Sequence, residues 1–296
     1  MIFSSVKYNE PVFRPPAEAR SAIVQATIGC SWNKCAFCEM YTSKSFKARS
    51  LSELKPEIEQ LGKVYGGRVR KVFLADGDAF VLSANRLLEI VDEVNHHFEK
   101  LQRISSYALP KNILSKSESE LNELSKSGLK LLYVGIESGD DELLKLINKC
   151  ETFKTTVEGV TKAQKAGIDT SIMIINGLGG KHYSRQHALN SAEVINSINP
   201  KFLSTLTLSL PFGQNHFKSR FKGRYQQQSV VELLEELKLF LEHVEVNNTI
   251  FRSNHVSNNV VLEGNLSKNK NRLIEQLSYA ISVTPSDLMP SAPSVL

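Results

Sequence analysis

Between about Ser21 and Ser209 the chain repeats one unit, a short β-branched run, a loop and then a helical pattern, and this rhythm leaves few folds open. Strands are predicted at 22–28, 69–75, 103–107, 130–137, 168–176 and 202–208. Helices are predicted between them at 51–64, 84–100, 112–126, 140–148 with 154–166, and 184–196. Gly128 and Gly167 stand just past helix ends, where a residue without a Cβ closes the last turn. Strands alternating with helices dictate parallel βαβ units. Right-handed crossovers roll six such units into an open barrel or a twisted sheet, and periodicity does not choose between the two. After Pro211 the rhythm changes. Residues 212–228 are basic and turn-rich and read as a loop or cover, and 230–246 as an amphipathic helix. Residues 250–266 read as a polar, asparagine-rich segment with a strand-like Val260-Val261-Leu262, and 268–281 as a helix before a frayed tail with Pro285, Pro290 and Pro293. The expected organisation is an N-terminal segment 1–20, a core 21–210 and an extension 211–296 packed on it.

A chain of 296 residues with 41% hydrophobic content buries a sizeable core. No stretch approaches the roughly 20 apolar residues that a membrane span needs. The start, Met1-Ile2-Phe3-Ser4-Ser5-Val6-Lys7, is not followed by a long apolar region, so no signal peptide is expected. The four cysteines accordingly read as reduced, cytosolic thiols. A net charge of +5 suits an anionic ligand or RNA as well as an ordinary solvated basic surface. Three of the four cysteines fall in Gly29-Cys30-Ser31-Trp32-Asn33-Lys34-Cys35-Ala36-Phe37-Cys38, directly after the first predicted strand. Thiolates this close together hold a metal or cluster, and they suit iron–sulfur and zinc alike. A cluster with four irons takes four cysteines, and the fourth here, Cys150, lies over a hundred residues away. A closed zinc site wants a fourth ligand nearby, while His96 and His97 sit in a predicted helix far along the chain. Three cysteines leave one coordination position for another ligand.

The spacing Cys30-x4-Cys35-x2-Cys38, with the aromatic Phe37 before the last cysteine, resembles that of the radical S-adenosylmethionine (radical SAM) superfamily. The usual signature there is Cys-x3-Cys-x2-Cys, so this chain carries one extra residue. The resemblance implies an α/β fold, a partial (β/α)6 TIM-type barrel with a C-terminal α+β extension. It implies a [4Fe–4S] cluster on Cys30, Cys35 and Cys38, its fourth iron chelated by the amino and carboxylate groups of S-adenosylmethionine. One electron from the cluster then cleaves the sulfonium to methionine and a 5′-deoxyadenosyl radical that abstracts hydrogen from a substrate. The family receives the methionyl ammonium at the end of the second strand, where this chain has Asp76, Gly77 and Asp78. Ser106 ends the third strand near the same edge, and Glu137 with Ser138 resembles the segment for ribose and carboxylate. Gly177 and Gly179 resemble the turn that admits adenine, and Phe37 would keep the cluster dry. Each piece also has a local reading. Asp76-Gly77-Asp78 makes a polar turn, Ser138-Gly139-Asp140-Asp141 a capping box, and Gly177–Gly180 a plain turn.

The sequence has no second cysteine cluster, which disfavours subclasses with an auxiliary cluster. The leading expectation is a cytoplasmic radical SAM enzyme acting on an unidentified small-molecule or nucleotide substrate. Its electron would come from a reductase or a flavodoxin- or ferredoxin-type donor, with no membrane involved and nucleic acid left open. The Glu137 segment resembles the porphyrin-directed branch; RNA or nucleotide modification is a second enzymatic reading. A non-catalytic iron–sulfur or zinc protein for binding or electron transfer is the reading from another class. Arg252 and His255, in an amide-rich stretch of the extension, suit substrate orientation or a solvated loop equally.

Overall fold

A computed structural model describes residues 6–291; Met1–Ser5 and the end of the tail, with Pro293, lie outside the described residues. Eight strands make up the main sheet elements: β1 (Ala22–Gln25), β2 (Lys71–Ala75), β3 (Arg103–Tyr107), β4 (Leu129–Glu137), β5 (Asp169–Asn176), β6 (Phe202–Thr207), β7 (Ile250–Ser253) and β8 (Leu262–Asn265). The main helices are α1 (Leu51–Tyr65), α2 (Ala84–His97), α3 (Glu118–Lys126), α4 (Asp141–Leu146), α5 (Phe153–Lys165), α6 (Gly180–Ile198), α7 (Gly213–Arg220), α8 (Val230–His243) and α9 (Leu266–Val283). The class is α/β with a largely parallel sheet, as the rhythm predicts. Among the described residues no helix is long and apolar enough to cross a membrane.

The chain divides into two compact units. The first holds the residues up to Asn33, Met40–Val134 and Glu158–Thr170. Its parallel strands run in the order β1-β2-β3-β4, with Val72 of β2 level with Ala22 on one side and Ile104 on the other. Leu54, Ile58 and Leu61 recur at helical spacing along α1 and are buried, as are Leu87, Val91 and Val94 along α2. The predicted strand 22–28 is broken after Gln25, and Thr27–Ile28 turns away to pair antiparallel with Lys47–Ala48. The predicted helix 112–126 is also broken. Ser117 and Glu120 form a capping box that starts α3 afresh after a short helical turn at Pro110–Leu114. Glu18, fully buried, accepts from Arg103 Nη2 at 2.5 Å and from the Tyr133 hydroxyl at 2.6 Å, beside the edge-to-face rings of Phe73, Tyr107 and Tyr133.

The second unit holds Lys34–Glu39, Gly135–Val157 and everything from Ser171 on. Strands β5, β6 and β7 are parallel, and β8 closes the edge antiparallel to β7. Two predictions for the extension are corrected here. Residues 212–228 contain a helix, α7, because Phe217 inserts into a buried core with Phe221, Leu143, Ile147 and Leu178. Residues 250–266 supply β7 and β8, whose Phe251 and Leu262 are buried while Asn254, Asn258 and Asn259 occupy the turn between them. The helix expected from 184 begins at Gly180. Truncating Phe217 to alanine is expected to cost about 3–5 kcal/mol, the usual range for emptying a buried phenylalanine site, and denaturant unfolding measures it.

Candidate cofactor site

In the first unit, the loop that carries Cys30 is fastened to the end of β2. The Asp76 carboxylate accepts from the Gly29 backbone N–H at 3.0 Å, from Gln25 Nε2 at 3.0 Å and from Lys44 Nζ at 2.8 Å. Both partners of the ion pair are buried. Asp76 is therefore already neutralised within the protein, and it positions the loop rather than offering charge to a ligand. At Gly77 an added Cβ would meet the Tyr41 ring at 2.5 Å and Cys30 Cβ at 3.0 Å. Only glycine lets Cys30 lie this close to β2, and the Gly77 N–H donates to Gly29 O at 3.2 Å.

Asp78 is different. It is fully buried and accepts from Asn112 Nδ2 at 2.6 Å and from the Ser31 hydroxyl, both on Oδ2; the Leu109 backbone N–H also acts on the carboxyl, and among the described residues Oδ1 has no hydrogen-bond partner. Burial pushes its pKa up to about 7, against the opposing pull of the Ser31 hydrogen bond. Lys116, pushed down to about 8 by burial, spends its ammonium on Phe80 O at 2.7 Å. Ser106 is buried, and its hydroxyl donates to the backbone carbonyls of Leu74 and Tyr107, which leaves it a structural part of the sheet.

In the second unit, Lys34–Glu39 carries Cys35, Phe37 and Cys38 and rests on the end of α4. The Ala36 N–H donates to Ile147 O at 2.8 Å, Asn148 Nδ2 donates to Lys34 O at 3.0 Å, and the Cys38 N–H donates to Cys35 O at 3.3 Å. Ala36 joins the buried core of α4 and α7, with Phe37 packed against it. From α7, Arg220 Nη1 reaches Cys38 O at 3.5 Å, and the Phe212 N–H donates to Glu39 Oε2 at 2.9 Å. Lys149 follows α4 and pairs with Glu137 at 3.0 Å, their side chains 5% and 11% exposed. Burial works against the lysine charge, yet the Glu137 carboxylate and Cys35 hold its pKa above the usual value. Glu137 stands at a φ of 68° and folds its carboxylate back over Gly135, where a Cβ would collide with it. Sequence reading did not single out Lys149 as the partner of Glu137.

Ser138 does not cap the next helix. Asp140 does, accepting from the Leu143 N–H at 2.7 Å. The Ser138 hydroxyl instead accepts from the Asp140 N–H and meets His187 Nδ1 at 2.8 Å, with both residues buried. The turn after β5 is occupied by the extension. The Gly177 N–H donates to Glu236 Oε1 at 2.6 Å, and a Cβ at Gly177 would strike Leu233. A Cβ at Gly180 would strike Tyr225 and Gln226 O, and one at Gly179 would strike Tyr183. These glycines make room for this chain's own side chains.

The four cysteines form no disulfide. Among the described residues no three His, Cys, Asp or Glu side chains converge on a single-ion position. What bears on a ligand is the donor set: three thiols on one short segment, a buried carboxylate oxygen left without a partner next to that segment's Ser31, and a glycine shaped to admit Cys30. This set fits a thiolate-held cofactor together with a cationic group that meets Asp78 Oδ1.

Sites at the ends of parallel strands are where enzymes built on such sheets place their cofactors. The radical SAM superfamily profile matches residues 24–195, more than half of the 296, and the chain belongs to that superfamily. It is 22% identical over 165 residues to the heme chaperone HemW of Bacillus subtilis (strain 168), covering 53% of this chain and 43% of that protein. It is 24% identical over 148 residues to the uncharacterized methyltransferase PH0819 of Pyrococcus horikoshii, covering 49% of this chain and 30% of that protein. The chain thus spans less than half the length of either relative. Among solved structures it resembles coproporphyrinogen III oxidase (HemN) from Escherichia coli, described as a radical SAM enzyme, with a TM-score of 0.58 and 21% identity over 76% of this chain and 54% of that one. Methylornithine synthase (PylB) gives 0.52 and 16% over 93% and 83%. The radical SAM methyltransferase TsrM from Kitasatospora setae, solved with cobalamin and a [4Fe–4S] cluster, gives 0.53 and 21% over 64% and 37%. At these identities the likeness is one of fold.

Proposed function

We propose that this chain is a radical SAM enzyme that holds a [4Fe–4S] cluster on Cys30, Cys35 and Cys38 and binds S-adenosylmethionine beside it. The observation that carries this reading is Asp78, a buried carboxylate whose Oδ1 has no hydrogen-bond partner among the described residues. A buried acceptor without a donor costs roughly 1–3 kcal/mol, and the methionyl ammonium is a donor of the right charge. When bound, the reduced cluster and S-adenosylmethionine supply a 5′-deoxyadenosyl radical through one-electron cleavage of a carbon–sulfur bond. The protein's part is binding, orientation and exclusion of water. Asp78 receives the ammonium and Gly77 admits the cysteine loop. Glu137, held by Lys149, faces ribose or carboxylate, with Ser138 and His187 steadying that segment from behind. Gly177 and Gly179 shape the adenine edge, and Phe37 covers the cluster. In this reading residues 21–210 carry the cofactors, while the extension 211–296 braces them and bounds the substrate, a small molecule or nucleotide. The enzyme works in the cytoplasm with a soluble electron donor.

The test is anaerobic. Protein reconstituted with iron and sulfide, then given dithionite and S-adenosylmethionine, is expected to release 5′-deoxyadenosine, measured by mass spectrometry. Cys38→Ala is expected to lose both bound iron and product. A variant that kept iron and cleavage would overturn the assignment. A parent protein that assembles the cluster yet binds no S-adenosylmethionine would point instead to an electron carrier.

A further inference from the structure

Between Glu193 and Glu232 the chain contains no acidic residue, and four of its basic residues stand at alternate positions, Lys218, Arg220, Lys222 and Arg224. The fold sets this run beside the segment that carries Cys35 and Cys38. Phe217 and Phe221 share one buried core with Ala36, and Phe37 packs against it. The Lys222 N–H donates to Leu146 O at 3.0 Å, which fixes the loop after α7 to the helix beneath the cysteine segment. Arg220 turns inward to Cys38 O. Lys218, Lys222 and Arg224 point outward and are exposed, and no ion pair involving them occurs among the described residues.

A cluster on these cysteines has to receive each electron from outside, across the protein surface nearest to it. Nonpolar packing by Phe217, Phe221 and Leu143 closes the side beneath the segment, and the rim beside it is open to a donor. A rim with several exposed cations attracts an acidic partner and steers it on approach, with Glu39 held by the Phe212 N–H at the other end of α7. We infer that the exposed basic rim of Lys218, Lys222 and Arg224 is the docking surface for an acidic one-electron carrier protein. This rests on the cofactor reading above. The carrier loses one electron, the cluster gains one, and no atom is transferred.

The test follows cluster reduction, so it does not depend on S-adenosylmethionine cleavage. The reconstituted protein is mixed by stopped flow with reduced flavodoxin or with dithionite, and bleaching of the cluster absorbance is timed. In Lys218→Glu/Lys222→Glu/Arg224→Glu the flavodoxin rate at low salt is expected to fall about 10- to 100-fold, within the range that electrostatic steering spans. The dithionite rate is expected to stay within about twofold. The parent's flavodoxin rate should fall steeply with added salt and the variant's should not. The milder glutamine triple variant should lie between the two. Equal losses with both donors would mean that the rim maintains the cluster site and would overturn the inference. So would an unchanged flavodoxin rate; if the same variant also lost affinity for a short single-stranded RNA, the rim would be a nucleic-acid surface. Failure of S-adenosylmethionine cleavage with a reducible cluster would count against the proposed function alone.

Discussion

Replacing Lys149 with methionine is expected to destabilise the apoprotein by about 3–5 kcal/mol, because a buried carboxylate is left with its charge unmatched. The pair is well enclosed, with Lys149 Nζ 3.0 Å from Glu137 Oε1 and both side chains largely out of solvent. Glu137 cannot simply swing into water, since its backbone is held at a φ of 68° and its carboxylate lies back over Gly135. The second substitution gives the control. Lys149→Met with Glu137→Gln removes both charges and should recover most of the loss, since buried pairs are costly to break and nearly neutral to replace. Urea midpoints of the parent, the two single variants and the double variant close the cycle. Additive losses would show that the two side chains do not act on each other.

Asp78→Asn is expected to weaken S-adenosylmethionine binding on the order of 10- to 100-fold, the worth of one charge-assisted hydrogen bond. The side chain keeps its shape, so the donors Asn112 and Ser31 are the neighbours most disturbed. The same carboxyl predicts two opposite pH trends. Its pKa in the folded apoprotein is about 7, raised by burial above the ordinary carboxylate value. The folded state therefore holds this proton more tightly than the unfolded state does. The stability it contributes is fully present below about pH 4 and is lost as pH rises through about 7. Binding of a cation runs the other way, because only the ionised form pairs with it. Affinity should rise about 25-fold between pH 5.5 and 7.5 for an acid titrating near 7. Isothermal titration and thermal melts across that window, on the parent and on Asp78→Asn, read both trends. A parent whose affinity stayed flat with pH would remove Asp78 from the ligand site.

The parallel core was legible because its strands are short apolar runs spaced by helical periods, and that pattern depends on neighbours in sequence. Where contacts between distant residues decide the outcome, the pattern was silent. Helix α7 reads as a basic loop because Phe217 is its single apolar side chain, and the core that receives it comes from α4 and the turn after β5. Of two acids one residue apart, sequence cannot say which is already taken. Lys44, thirty-two residues from Asp76, makes the choice by pairing with it, although each acid keeps one oxygen without a hydrogen-bond partner among the described residues. Lys149 escaped notice for the same reason, its partner lying a helix away in the chain. The cysteine spacing was readable because all three proposed ligands lie on one short segment. Ser138 looked like a helix cap because its neighbours are acidic, whereas Asp140 fills that role and frees Ser138 for His187.

The glycine turn after β5 bears on how freely sequences of this kind can be recombined. Leu233, Tyr225 and Gln226 occupy the volumes that side chains at Gly177 and Gly180 would need, and Glu236 holds the Gly177 amide. Socket and plug were therefore cut to one another across as many as 59 residues of chain. A chimera that joined residues 21–210 to a relative's C-terminal half would carry the socket without its plug, and a hole would open behind the proposed adenine edge. Transplanting substrate preference between such enzymes requires the turn and its filling to travel together.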